Sequence, residues 1–205
     1  MFSSKAAAPV LIIVLLLLPA VSGSDTVTLY ATADADVWEF QPDTNKGADQ
    51  YFQVGCGGAG YLRNSLVRFD LSTISGVTIN SAVIRLFVIS SAGDFPSDEI
   101  YLARIGNDWD EMTVTWNNSP ALAETIPITA PSVLDWWEID ATAWVQDMAD
   151  GTVPNYGFQI YQNDTDYAIF AMTTRENVDV PELVVDYTPS ALQNSTFASI
   201  KALFL

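Results

Sequence analysis

The chain contains no histidine and a single cysteine, Cys56. Without histidine, the Ser-His-Asp and Cys-His nucleophile systems are excluded, and so are the usual zinc sites built from histidine and cysteine. One cysteine finds no partner within the chain, so no intrachain disulfide ties the domain together. In GCGGAG (55–60) it reads either as a small residue of a glycine-rich turn or as a reactive thiol. Positive charge is scarce too: 8 Lys and Arg stand against 25 Asp and Glu, a formal net charge of −17. A surface of that sign repels nucleic acid, whose phosphates are held by clusters of Lys and Arg. Carboxylates are what remains for acid–base chemistry. A glycosidase needs two of them about 5 to 10 Å apart, one in a cleft. No stretch marks such a cleft, and the adjacent Asp110 and Glu111 would point to opposite faces of a strand. The chain is expected not to be an enzyme.

Long apolar runs are confined to the start. In MFSSKAAAPVLIIVLLLLPAVSGSD, Lys5 supplies a positive n-region, Pro9–Leu18 an apolar core and Val21-Ser22-Gly23 a small-residue cleavage site, so residues 1–23 read as a secretory signal. That core is shorter than the roughly 20 residues of a membrane span. The expectation is a secreted, extracellular or cell-surface protein with no transmembrane segment in its mature part. Residues 24–188 suffice for one domain with a real core.

What the mature part has in plenty is short apolar runs with period-two alternation, set between Gly, Pro, Asn and Asp clusters. Strands are predicted near Val27–Thr32, Gln50–Val54, Asn64–Asp70, Ser81–Ile89, Glu99–Ile105, Trp136–Ile139, Gly157–Gln162, Ala168–Thr173 and Glu182–Tyr187. In AVIRLFVI (82–89) both faces are largely apolar, which marks a central strand whose Arg85 needs a local partner. In DATAWVQDMADG (140–151), Ala141, Trp144, Val145 and Met148 recur at helical spacing, and Gly151 suits the position after a helix end. Together these predict an all-β fold, a jelly-roll-type antiparallel β-sandwich with one short helix. Residues 189–205 place Phe197, Ile200 and Phe204 on one helical face. They form a sorting or tethering segment toward other protein subunits, a frayed end or a packed helix.

The phrases RNSLVRFDLS (63–72), INSAVIRLFV (79–88), NDWDEMTVTWNNSP (107–120), EIDATAWVQDMADG (138–151), PNYGFQIY (154–161) and TTRENVDVPELVVDY (173–187) occur in an order that resembles the DNRLRE-type domain, also grouped as the family 96 carbohydrate-binding modules. The resemblance runs from about Val27 to Tyr187. It implies a secreted jelly roll, a polysaccharide partner and, within the family, binding of acidic polysaccharide such as alginate through basic side chains. This chain departs from that last feature. It keeps Arg63, Arg68, Arg85, Arg104 and Arg175 but little other positive charge, and long-range repulsion disfavours a polyuronate. A neutral glycan is the expectation here.

Neutral sugars stack their C–H faces on aromatic rings while amides and carboxylates bond the hydroxyls. The candidates are Trp38, Tyr51, Tyr61, Trp136 and Glu138. In DWWEID (135–140), alternation puts Trp137 and Ile139 on one face and Trp136 and Glu138 on the other. If Ile139 faces the core, Trp136 faces out. A structural calcium ion is a second expectation. Asp43, Asn45 and Asp49 surround a turn at Gly47, joined by Asp34 and Asp36, and oxygen ligands around such a turn are what a hard cation uses. Turn chemistry accounts for the same residues. MTVTW (112–116) is expected to be extended, with Met112, Val114 and Trp116 on one face and core packing as its role.

Overall fold

A computed structural model describes residues 23–93, 100–163 and 166–190. Residues 1–22 of the expected signal segment (1–23) and residues 191–205 of the tail lie outside them. The fold is all-β and antiparallel, with one short helix. Its strands are β1 (Asp25–Trp38), β2 (Tyr51–Cys56), β3 (Leu62–Phe69), β4 (Thr78–Gly93), β5 (Ile100–Ile105), β6 (Leu122–Ile128), β7 (Trp136–Asp140), β8 (Phe158–Gln162), β9 (Ala168–Thr173) and β10 (Glu182–Thr188), and its helix is α1 (Thr142–Ala149).

Two strands are long enough to serve two sheets. β1, of 14 residues, pairs with β10 through Tyr30 and with β3 from Ala31 onward. β4, of 16 residues, pairs with β10 and β7 through Phe87 and with β9 from Val88 onward. Each handover carries a register shift, at Ala31/Ala33 and at Val88/Ser90. An extra residue bends a strand and sharpens its twist, so the bulges let one strand turn from the first sheet into the second. The pairing then closes on itself through β1, β10, β4, β9, β2 and β3, giving a barrel-like ring, while β8, β5 and β6 extend from β3.

Between the sheets lies the main core. β4 contributes Ile79, Ala82, Ile84, Leu86 and Val88, β10 Leu183 and Val185, and β7 Trp137 and Ile139. Facing them are Phe52, Val54, Val67, Phe69, Phe158, Ile160, Phe170 and Met172. The helix adds Trp144, Val145 and Met148, as its spacing predicts, and Gly151 follows it at φ 71°. Gln146 fastens it by accepting from Ile79 N–H and donating to the Val77 carbonyl. A second, smaller cluster of Ala33, Ala35, Val37, Leu66, Ile105, Trp109 and Val114 lies under the 106–121 segment.

Two expectations change. MTVTW is not a strand: residues 111–113 form a turn and Trp116–Asn118 a short 3₁₀ helix. Asn118 holds it there, accepting from Thr115 N–H and donating to the Thr113 carbonyl. Val114 is still buried and Met112 is exposed. Conversely, LAETIPI forms β6, an edge strand paired only with β5 and exposed along nearly its whole length. A strand exposed on both faces has no reason to alternate.

Candidate functional site

β7 delivers its side chains as the alternation requires. Trp137 is buried, donates its indole N–H to the Thr129 carbonyl at 2.9 Å and meets the Phe170 ring edge-on at 5.3 Å. Ile139 is buried beside it. Trp136 and Glu138 therefore point outward, Trp136 half-exposed and Glu138 exposed. Register on β4 places Phe87 opposite Trp136 and Arg85 opposite Glu138. The rings of Phe87 and Trp136 meet edge to face at 5.4 Å, and the Arg85 guanidinium sits 4.5 Å from the Trp136 centroid. Arg85 finds its local partners in Glu182, at 2.6 Å, and Glu138, at 3.3 Å.

Beside Trp136 runs an open groove of about 200 Å³, lined by Thr129 to Val133 and by Trp136, Trp137 and Glu138. A smaller pocket of about 100 Å³ adjoins it and shares Pro131, Ser132 and Val133. Val133 and Leu134 are exposed at 62% and 59%. An aromatic wall, apolar side chains, a hydroxyl and a carboxylate around one open groove are the ingredients of a sugar site.

The other tryptophan candidate is differently placed. Trp38 is half-buried, and its ring already has neighbours: Phe40 stacked at 5.0 Å, the Lys46 ammonium 3.6 Å from the centroid and Arg63 at 5.1 Å. Its indole N–H donates to Asp36 Oδ2. Trp136 has ring neighbours too, Phe87 and Arg85, so what separates the two tryptophans is the groove beside Trp136. Tyr61 stands next to Phe40 at 5.0 Å and is 49% exposed, as is Tyr51 at the start of β2. Tyr61 thus belongs with Trp38, whereas Trp136 lines a separate groove. Phe87, Phe40 and Lys46 were not among the expected site residues. The i, i+2 spacing of Trp38 and Phe40 hints at their pairing, whereas Phe87 meets Trp136 only through register.

Asp34 and Asp36 face the side of β1 opposite Ala33, Ala35 and Val37, level with Val67 and Ser65 of β3. Both are almost wholly buried. Asp34 Oδ2 accepts from the Arg175 N–H at 2.8 Å, and Asp36 Oδ2 accepts from Gln53 N–H at 3.0 Å as well as from Trp38. Ser65 completes that edge by donating to the Gln53 carbonyl. These side chains thus supply hydrogen bonds to the edge backbone of β2 and of the segment after β9. Burial pushes both carboxyls up to about 7; the N–H donors pull against it.

The five oxygen residues expected around calcium are not brought together. Asp43 accepts from Asn117, and Asp49 pairs with Lys46 at 3.2 Å. Asn45 donates its amide to the carbonyls of Glu111 and Val114, both at 2.8 Å, and keeps its oxygen for Gly47 N–H. Gly47 is required by this packing: a Cβ there would lie 2.0 Å from the Glu111 carbonyl oxygen. Asp34 Oδ1 and Asp36 Oδ1 are buried without hydrogen-bond partners. Among the described residues, no group of three or more metal-ligating side chains gathers.

NDWDEMTVTWNNSP serves the fold. Trp109 is buried with its N–H on the Tyr156 carbonyl. Glu111, also buried, accepts at Oε1 from Asp34 N–H and from Arg175 Nε. No described helix is long and apolar enough to cross a membrane.

Comparison with known proteins adds the family context. The model of carbohydrate-binding module family 96 matches residues 25–187. The tRNA nuclease WapA of Bacillus subtilis (strain 168) is 26% identical over 121 residues, 58% of this chain and 5% of that protein. The tRNA3(Ser)-specific nuclease WapA of Bacillus spizizenii is 25% identical over 135 residues, 65% of this chain and 6% of that protein. The chain thus spans only about a twentieth of the length of these curated relatives.

Proposed function

We infer from one premise, that the chain belongs to carbohydrate-binding module family 96, that it is a secreted, non-catalytic module binding a neutral extracellular or cell-surface polysaccharide. The observation that carries the reading is the groove at Trp136, where a half-exposed indole borders an open channel containing hydroxyl and carboxylate groups. The barrel-like ring is read here as a flattened jelly-roll sandwich, its two sheets sharing β1 and β4.

Charge supports a neutral ligand. Of the six described cations, Lys46, Arg68, Arg85, Arg104 and Arg175 each lie within ion-pair distance of a carboxylate, and Arg63 lies over the Trp38 and Phe40 rings. An acidic glycan would have to break those pairs against a strongly negative chain. The nuclease activity named for the relatives is not carried over, because the similarity spans so little of their length and paired arginines make a poor phosphate surface.

The test is retention on insoluble and arrayed polysaccharides by the purified protein and by Trp136→Ala. Retention that the substitution abolishes supports the reading. No retention on any neutral glycan, or a variant that binds as well as the parent, overturns it.

A further inference from the structure

The outward face of the first sheet carries more than the groove. Register aligns four residues in one row across the strands: Tyr30 on β1, Glu182 on β10, Arg85 on β4 and Glu138 on β7. One step further along, Phe87 and Trp136 form their own pair. The alternate positions, Leu183, Ile84 and Leu86, are buried in the core, so the row faces out. Strands lie about 4.8 Å apart, so Tyr30 and Glu138 are separated by about 14 Å. That span suits a short oligosaccharide rather than a single sugar ring.

The row is apolar and aromatic at its ends and polar between. Tyr30 is 59% exposed at one end, although it packs into no described aromatic cluster. Trp136 and Phe87 stand at the other. Arg85 is fixed between Glu182 and Glu138, its buried Nε 3.3 Å from Glu138 Oε1. Pinned carboxylates keep lone pairs for hydroxyl donors and lose little freedom when they bind. Two carboxylates around one guanidinium leave the row net negative, which fits a neutral ligand and disfavours a uronate.

We propose that a linear neutral glycan lies across the strands of this face, from Trp136 to Tyr30, with Glu182 and Glu138 accepting from its hydroxyls. This rests on the carbohydrate-binding reading and sets its extent and direction. Trp136 anchors one end; Tyr30 is a distal contact that only longer ligands reach.

Calorimetric titration with cello-, manno-, xylo- and laminari-oligosaccharides, from disaccharide to hexasaccharide, tests it. Affinity for the recognised series rises with length to about a tetrasaccharide and then levels. Tyr30→Ala reduces tetrasaccharide affinity about five- to tenfold, to the parent's disaccharide level, and leaves disaccharide affinity unchanged. Tyr30→Phe, which keeps the ring, retains the length dependence. Glu182→Gln weakens binding of both lengths, with an unchanged melting temperature showing that the loss is not one of folding. Affinity independent of length, or Tyr30→Ala without effect while Trp136→Ala abolishes polysaccharide retention, overturns the cross-strand track and leaves the carbohydrate reading standing. Tighter binding of a mannuronate oligosaccharide than of every neutral series overturns the charge assignment. Failure of the parent protein to bind any polysaccharide removes both.

Discussion

The tetrapeptides DVWE (36–39) and DWWE (135–138) differ at one position, and the fold treats them as opposites. In the first, Asp36 is buried and accepts from the indole of Trp38 and the backbone of β2, and the aromatic ring is covered by Lys46. In the second, Asp135 is exposed and accepts from the neighbouring Trp136 N–H, Trp137 is buried, and Trp136 borders the groove. The same residue types therefore build a buried structural knot at one site and the border of an open groove at the other. What differs is which side of the strand meets the interior and what lies over it.

The largest expected contrast is in pH dependence. Burial raises Asp34 and Asp36 to about 7 from an ordinary value of 3.8, so the folded state holds protons that the unfolded chain has released. Their contribution to stability is present in full below about pH 4 and declines as pH rises toward about 7, then levels. The effect is on the order of 4 kcal/mol per group before relaxation of the site reduces it. Urea midpoints measured across that interval should fall with rising pH, and Asp36→Asn should flatten part of the slope. A midpoint that rises over the same interval refutes the assignment.

Asp36→Ala comes next. It strands the Gln53 N–H and the Trp38 indole, costing about 3 kcal/mol, whereas Asp135→Ala stays within about 0.5 kcal/mol. Equal losses in chemical denaturation would erase the distinction between the two tetrapeptides. Third, Trp38→Ala should destabilise by about 2 kcal/mol through lost packing and leave polysaccharide retention intact. Trp136→Ala should do the reverse, with a thermal midpoint close to the parent's. The smallest effect is that of salt. If the ligand is neutral, affinity should change less than about twofold between about 0.05 and 0.5 M salt; a steep fall would point to an ionic ligand.

Much of this was legible in the chain. Alternation located most of the strands, helical spacing located α1 and its Trp144–Met148 stripe, and DWWEID gave the outward direction of Trp136 from the inward one of Ile139. MTVTW misled because two threonines between apolar residues mimic a strand, while the bonds that fold it come from Asp110, which accepts from Met112, Thr113 and Val114 N–H, and from the Asn118 side chain. β6 was invisible because an exposed edge strand carries no buried face. The calcium expectation grouped Asp34, Asp36, Asp43, Asn45 and Asp49 by nearness in sequence. Three of them bond to Asn117, to Lys46 and to the backbone around Glu111 and Val114, contacts that sequence nearness does not show.

Composition and pattern by themselves determined that the chain is antiparallel β, has no histidine and one cysteine, and carries a large excess of negative charge. Those properties depend on residue types and their local period. Tertiary structure decided which tryptophan is available. Alternation assigns a residue to one of two faces, but only long-range register brought Phe87 and Arg85 beside Trp136, and only the return of the 41–49 loop laid Lys46 over Trp38. Exposure depends on what the rest of the chain places above a side chain, and that is not written in its neighbours.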